Sequence, residues 1–269
     1  MSKIAALTMY DLPEIRAATD AWWAAVAKHL SSAGVEDVPA ALSRDRLAHD
    51  LWRDPGLVLT QTCGYPLTHE QADHLTAITV PSYAAEGCGD GRYRSGFVVR
   101  SDDPAGTLAD LRGRRAVANG ANSQSGCNAL RAAVAPLACA GRFFGEVQWS
   151  GGHRLSLAAV REGRADVAAI DGVTLALVGV HAAPEMHGVR VLSWSAEAPA
   201  LPYATRRGAA PDRVARLRDG ILAAVRDPNA AAAREALLLQ GMDPIDDVAY
   251  TPIVAMREMA ERLGYPVLA

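Results

Sequence analysis

Three polar junctions between apolar runs carry the groups in this chain best suited to hold a small charged molecule. The first is Asn122-Ser123-Gln124-Ser125-Gly126, which follows the apolar run Arg115 to Ala118 and opens a segment with Cys127, Leu130, Val134 and Leu137 at helical spacing. A helix leaves its first backbone N–H groups without partners, its dipole adds partial positive charge there, and serine hydroxyls can donate beside them. Such a junction suits a phosphate, phosphonate, sulfate or carboxylate; the plainer alternative is a helix cap and nothing more. The second is Ser150-Gly151-Gly152-His153, where two glycines let backbone or ligand approach closely. The third is Asp171, at the tip of the apolar run Asp166 to Ile170. Ligands of open α/β sheets bind beyond the carboxyl ends of strands, so three tips in one strand–helix series can converge.

Thiol chemistry is the competing possibility. Cys63 sits in the turn Gln61-Thr62-Cys63-Gly64-Tyr65-Pro66, and as a nucleophile it would need His153 as base and Asp171 to orient that base. A buried, inert cysteine is the ordinary state of such a residue. The other cysteines, Cys88, Cys127 and Cys139, stand at spacings that match no zinc pattern, so no metal and no cofactor are expected. All four are expected as buried thiols, with a Cys63–Cys88 bridge left open for an exported form.

The elements that must position these groups are legible as a strand–helix series. At 269 residues, 50% hydrophobic and 21% charged, the chain can bury a full core as one large domain or two small ones. Ile4 to Met9 reads as a strand, followed by a helix from Leu12-Pro13 to Gly34 with Ile15, Trp22, Val26 and Leu30 on one face. Further strands are expected at 57–60, 75–80, 93–100, 115–118, 147–149, 166–170, 189–194 and 203–206. Helices are expected at 153–162, 212–226, 228–240 and 252–263, with glycines at 34, 163, 241 and 264 as stops. Strands alternating with helices predict a parallel sheet with crossover connections. The pattern restarts after Asp103-Pro104.

Net charge is −3, and Lys3 and Lys28 are the only lysines in a chain whose other cations are arginines. With no cationic run, a nucleic-acid partner is excluded. No segment has the length or apolarity of a membrane span, and the opening residues lack the apolar core of a secretory leader. The sequence as it stands reads as cytoplasmic, or as periplasmic if a leader has been removed.

The ordered series Asp110-Leu-Arg-Gly-Arg-Arg115, Asn122-Ser-x-Ser-Gly126, Ser150-Gly-x-His-x-x-Ser156 and Gly163-x-Ala-Asp-Val-Ala-Ala-Ile-Asp171 resembles the phosphonate-binding proteins of ABC importers. The turn from Gln61 to Pro66 is similar to a subgroup of them, and the match is ordered over roughly residues 4–205. The resemblance implies a two-lobed α/β fold of the type II periplasmic-binding-protein class, with a ligand cleft between the lobes and two crossover strands. One lobe would comprise 1–100 with 192–269, the C-terminal helices packing back on it, and the other 101–191. It implies a non-catalytic binder that closes on a small anion and an ABC permease as possible partner. Ser123, Ser125 and Gly126 would hold the anionic head group, with Asn122, His153 and Asp171 on the same lobe. Tyr10, Gln61, Thr62, Cys63, Tyr65 and Tyr93 would line the facing wall. The chain departs from the family's usual Ser-Thr-Ser grip by having Asn122-Ser123-Gln124-Ser125. The alternatives are an enzyme on the same scaffold using Cys63, His153 and Asp171, or a cytoplasmic ligand sensor.

Overall fold

A computed structural model describes residues 3–269 and divides them into two compact units. The first unit takes the chain up to Ala84, then Gly89–Gly91 and Pro199–Tyr250; the second takes Ala85–Cys88, Arg92–Ala198 and Thr251–Ala269. The chain opens in the first unit with β1 (Ile4–Ala6), α1 (Arg16–Ser32), α2 (Ala48–Trp52), β2 (Leu57–Gln61), α3 (Gly64–Thr68) and β3 (Leu75–Tyr83). In the second unit follow β4 (Arg92–Tyr93), β5 (Ser95–Arg100), β6 (Arg115–Ala118), α4 (Ala129–Val134) and β7 (Glu146–Trp149). Then come α5 (His153–Arg161), β8 (Val167–Asp171), α6 (Gly172–His181) and β9 (Val189–Trp194). After the two-residue β10 (Ala198–Pro199), the first unit is completed by β11 (Tyr203–Arg206), α7 (Pro211–Arg226), α8 (Ala231–Ala236) and β12 (Leu239–Pro244). α9 (Thr251–Arg262) ends in the second unit.

Each unit is built on one five-stranded mixed sheet. In the first, the order is β1-β2-β11-β3-β12, with β1 and β2 parallel and β11 antiparallel to both neighbours. In the second, the order is β7-β6-β8-β5-β9; β6 is parallel to β7 and β8, while β5 is antiparallel to β8 and β9. The fully parallel sheet expected from the alternation is therefore corrected. A strand that reaches the sheet after a long excursion, as β11 does, inserts in the opposite direction, and local sequence does not record that. β2 is buried at all five positions and β8 likewise, as strands covered on both faces must be.

The helical faces follow the predicted periodicity. α1 buries Trp22, Trp23, Val26 and Leu30, and α7 buries Leu217, Ile221, Ala224 and Val225. The two helices approach closely at Gly220, where an added Cβ would lie 2.7 Å from Leu30 Cδ2 and 2.9 Å from Leu30 Cα. Three expectations change. Residues 228–240 are not one helix: a 3₁₀ turn (Pro228–Ala230) and α8 give way to β12, with Leu238 at φ 54 making the break. α6 was not expected at all. The grouping of residues also differs from 1–100 with 192–269 against 101–191. β5 pairs with β8 and β9, and Ala260, Tyr265 and Leu268 of the C-terminal segment enter the core around Phe97, Leu130 and Phe143.

Candidate functional site

The Asn122–Gly126 junction forms a cradle in the second unit. Ser123 has extended backbone and is the N-cap of a π-helical turn, Gln124–Asn128, that runs straight into α4. Its Oγ accepts from the Gly126 N–H at 3.0 Å, and the Asn128 N–H reaches the Ser123 carbonyl at 2.9 Å, the wide spacing of a π turn. Single π turns of this kind recur at functional sites, because they leave more backbone N–H groups at the helix mouth. Ser125 is buried beside Ser123, the two hydroxyl oxygens 3.5 Å apart, and Ser125 Oγ lies 2.8 Å from His153 Nε2.

Gly126 is where the cradle is tightest. An added Cβ would lie 1.8 Å from Asn119 Oδ1 and 2.9 Å from Asn119 Cγ, so any larger residue would displace the Asn119 side chain from its place at the end of β6. Asn119 Oδ1 is itself buried with no hydrogen-bond partner. His153, the first residue of α5, is placed by Gly152 and by Ser150, whose Oγ lies 2.7 Å from Ser156 Oγ. Burial pushes the His153 imidazole down to about 4, partly opposed by the nearby Ala169 backbone, so the ring is neutral near pH 7. Its Nδ1 is buried, with the Ala169 backbone near the ring and no side chain bonded to it. The site thus offers serine hydroxyls, helix-mouth N–H groups, a neutral imidazole and an orphaned amide oxygen, a set that suits an oxyanion carrying or lacking a proton.

The other expected residues of the second unit are placed differently. Asn122 is exposed on the turn. Asp171 is 1% exposed and is the N-cap of α6, its Oδ1 accepting from the Thr174 N–H at 3.0 Å; it pairs in register with Ser95. It also faces Cys88, whose thiol is pushed up to about 12 by burial and by that carboxylate. Tyr93, expected on the wall of the other lobe, is instead buried on β4 in the second unit, because the chain has already left the first unit by Arg92.

In the first unit, the residues following β1 and β2 gather in one aromatic region. Tyr10 packs edge-on against Tyr83 with centroids 5.3 Å apart, and Gln61 Nε2 donates to Tyr83 Oη at 3.2 Å and to the Leu201 carbonyl at 3.1 Å. Tyr10 and Gln61 line a small cavity of about 20 Å³ with Trp22, Tyr83 and Tyr203, and Trp22 Nε1 donates to Tyr203 Oη at 2.9 Å. Thr62, Cys63 and Tyr65 are buried beside it; Tyr65 stacks on His69 at 4.0 Å.

Sequence reasoning passed over Asn119, Tyr83 and Tyr203. The signal for Asn119 was present, an amide at a strand end facing a glycine seven residues on, whereas Tyr83 and Tyr203 meet only through the register of β11. No disulfide joins the described cysteines, and Cys139 is exposed rather than buried. No cluster of metal-ligating side chains occurs among the described residues. The thiol-enzyme arrangement lacks its second link: Nδ1 of His153, the atom an orienting carboxylate would hold, has no side chain bonded to it, and Nε2 is engaged by Ser125.

A comparison with protein-family profiles matches residues 56–250 to the family described as ABC transporter, phosphonate, periplasmic substrate-binding protein. No curated protein sequence matches the chain. Among solved structures, the chain is similar to a binding-protein component of an ABC phosphonate transporter from Pseudomonas aeruginosa, with a TM-score of 0.75 and 16% identity over 97% of this chain and 86% of that one. It is similar to PhnD1 from Prochlorococcus marinus in complex with methylphosphonate, with a TM-score of 0.73 and 14% identity over 97% and 98%. A Xanthomonas citri protein bound to ATP gives a TM-score of 0.72 and 19% identity over 98% of each chain. Identities at this level establish the fold.

Proposed function

We propose, from the premise that the chain belongs to the family of periplasmic substrate-binding proteins of phosphonate ABC transporters, that it binds a small oxyanion at the Ser123–Gly126 cradle. It is a solute-binding protein of the type II periplasmic-binding class, and the ligand we infer is a phosphonate, a phosphate ester or a close relative. The observation that carries this is the cradle itself: capped π turn, paired serines, a glycine packed against the Asn119 amide, and a neutral histidine held against Ser125. Methylphosphonate in one relative and ATP in another share a tetrahedral phosphorus oxyanion, which is the feature such a cradle recognises.

The two units are read as the two lobes of the binder, and Tyr10 and the Gln61–Tyr65 segment as candidate ligand contacts within the first. Residence in the periplasm and delivery to an ABC permease belong to the same reading, and the family description supports them. No described helix is long and apolar enough to cross a membrane. Catalysis is not part of the proposal, because the histidine that would activate Cys63 has no carboxylate behind it.

Native mass spectrometry of the purified protein tests this reading. At least one phosphorus oxyanion should be retained per chain, or taken up from a panel of phosphonates and phosphate esters. A protein that takes up none of them, yet retains a neutral or cationic solute, would refute it.

A further inference from the structure

The first unit contains a second concentration of anion-binding groups, at the sheet edge opposite Tyr10 and Gln61. β1 and β2 are parallel, so Lys3, Pro55 and Leu57 stand at their start, and antiparallel β11 brings its last residue, Arg206, to that same edge. A cavity of about 120 Å³ opens there, lined by four cationic side chains, Lys3, Arg206, Arg207 and Arg213, and by the backbone of Gly208 and Ala209. No Asp or Glu lines it. In a chain of net charge −3, four cations around one small cavity are a local reversal of sign.

The partners of these cations leave charge to spare. Arg207 is paired with Asp247 at 2.6 Å, while Arg206 donates only to the Pro55 carbonyl, at 2.7 Å. Lys3 and Arg213 have no ion-pair partner among the described residues. Asp54, the nearest acid to Arg206, is held by Arg46 at 2.5 Å. A second cavity of about 130 Å³ adjoins the first across Pro55, Arg206 and Arg207; its lining is of mixed charge, with Arg53 and His74 beside Asp54 and Asp73, so the unbalanced positive charge belongs to the first cavity.

We propose that the Lys3–Arg206–Arg213 cavity is a second oxyanion site, taking a phosphate group. Guanidinium forks match two oxygens of a phosphate at once, and an ammonium adds a point charge that needs no fixed geometry. The volume accommodates one tetrahedral anion with its waters and is well below the several hundred Å³ of a pocket for a nucleotide-sized ligand. β2 is five residues long, which puts this cavity roughly 15 Å from Gln61 at about 3.3 Å per residue, so the site is separate from the ligand-facing edge of the sheet. The phosphate has two possible sources, a soluble ion and the head group of an anionic phospholipid.

Amide chemical shifts during a titration with inorganic phosphate report on the two places independently. The Thr205, Gly208 and Ala209 amides should move in a saturable way, and Arg206→Gln with Arg213→Gln should weaken that response at least tenfold while any shifts at Ser125 and Gly126 persist. Both side chains are surface groups, so the double variant folds; Arg142→Gln with Arg226→Gln is the charge-matched control. Vesicles containing phosphatidate, set against phosphatidylcholine alone, distinguish the sources: selective broadening of the same amides assigns a lipid phosphate, and shifts with free phosphate alone assign a soluble one. The proposal fails if neither phosphate nor phosphatidate perturbs residues 205–213. It fails equally if the control variant weakens the response as much as Arg206→Gln with Arg213→Gln does.

Discussion

Ser125 and His153 share one short contact, and the state of that pair decides how the cradle meets an anion. With the imidazole neutral, either Ser125 donates to Nε2 or Nε2–H donates to Ser125. Only the second arrangement turns the serine hydroxyl toward a ligand, so oxyanion binding selects the Nε2–H tautomer. The buried ring also has a cost in acid. In the unfolded chain the imidazole protonates below about 6.5, whereas in the folded chain it stays neutral until about 4. Between those values the unfolded state binds more protons, so stability falls as pH falls through that window, by on the order of 3 kcal/mol. Urea titrations from pH 7 to pH 4 should show that decline, and His153→Gln should remove this part of it. Cys63 makes a separate prediction. As a buried residue that opens α3, it contributes shape, and Cys63→Ser should leave ligand affinity within about tenfold, or 1.4 kcal/mol. Rapid alkylation of Cys63 at neutral pH, abolished by His153→Ala, would instead mark an activated thiol.

The elements with a clear period in sequence were the ones read correctly. Trp22, Val26 and Leu30 on α1 and Leu217, Ile221 and Val225 on α7 lie four residues apart along one face, as amphipathic helices require. α6 escaped because Gly172–His181 is apolar nearly all round and directly extends the apolar run of β8; only the cap at Asp171 separates strand from helix. β12 escaped because its partner, β3, lies some 160 residues earlier, and Leu237-Leu238-Leu239 continues a helical pattern until Leu238 turns left-handed. Within the cradle, the serines, the glycine and His153 were legible from residue type and junction. Asn119 was legible as an amide at the end of β6 but was passed over, whereas Tyr83 and Tyr203 depend on register between distant strands, which composition and spacing do not encode. Gly220 gives a test at this scale. In an isolated helix Gly→Ala stabilises by about 1 kcal/mol. Here the new Cβ meets the Leu30 backbone at 2.9 Å, so Gly220→Ala should instead destabilise by about 1–3 kcal/mol, seen as a lower midpoint in thermal unfolding.

At the scale of the molecule, two units of similar construction each bring a different kind of surface to the ends of their strands. The second offers hydroxyls and helix-mouth N–H groups, and the first offers a buried aromatic and amide cluster around Tyr10, Gln61 and Tyr83. The oxyanion cradle lies within the second unit, and family membership supplies the transport context. Calorimetric titration with methylphosphonate, comparing the native protein with Ser123→Ala/Ser125→Ala, tests the claim most directly. The cradle predicts one ligand per chain and a loss of about 1–3 kcal/mol in the double variant, the scale of hydrogen bonds to a charged group. Binding of undiminished affinity in the double variant would contradict it.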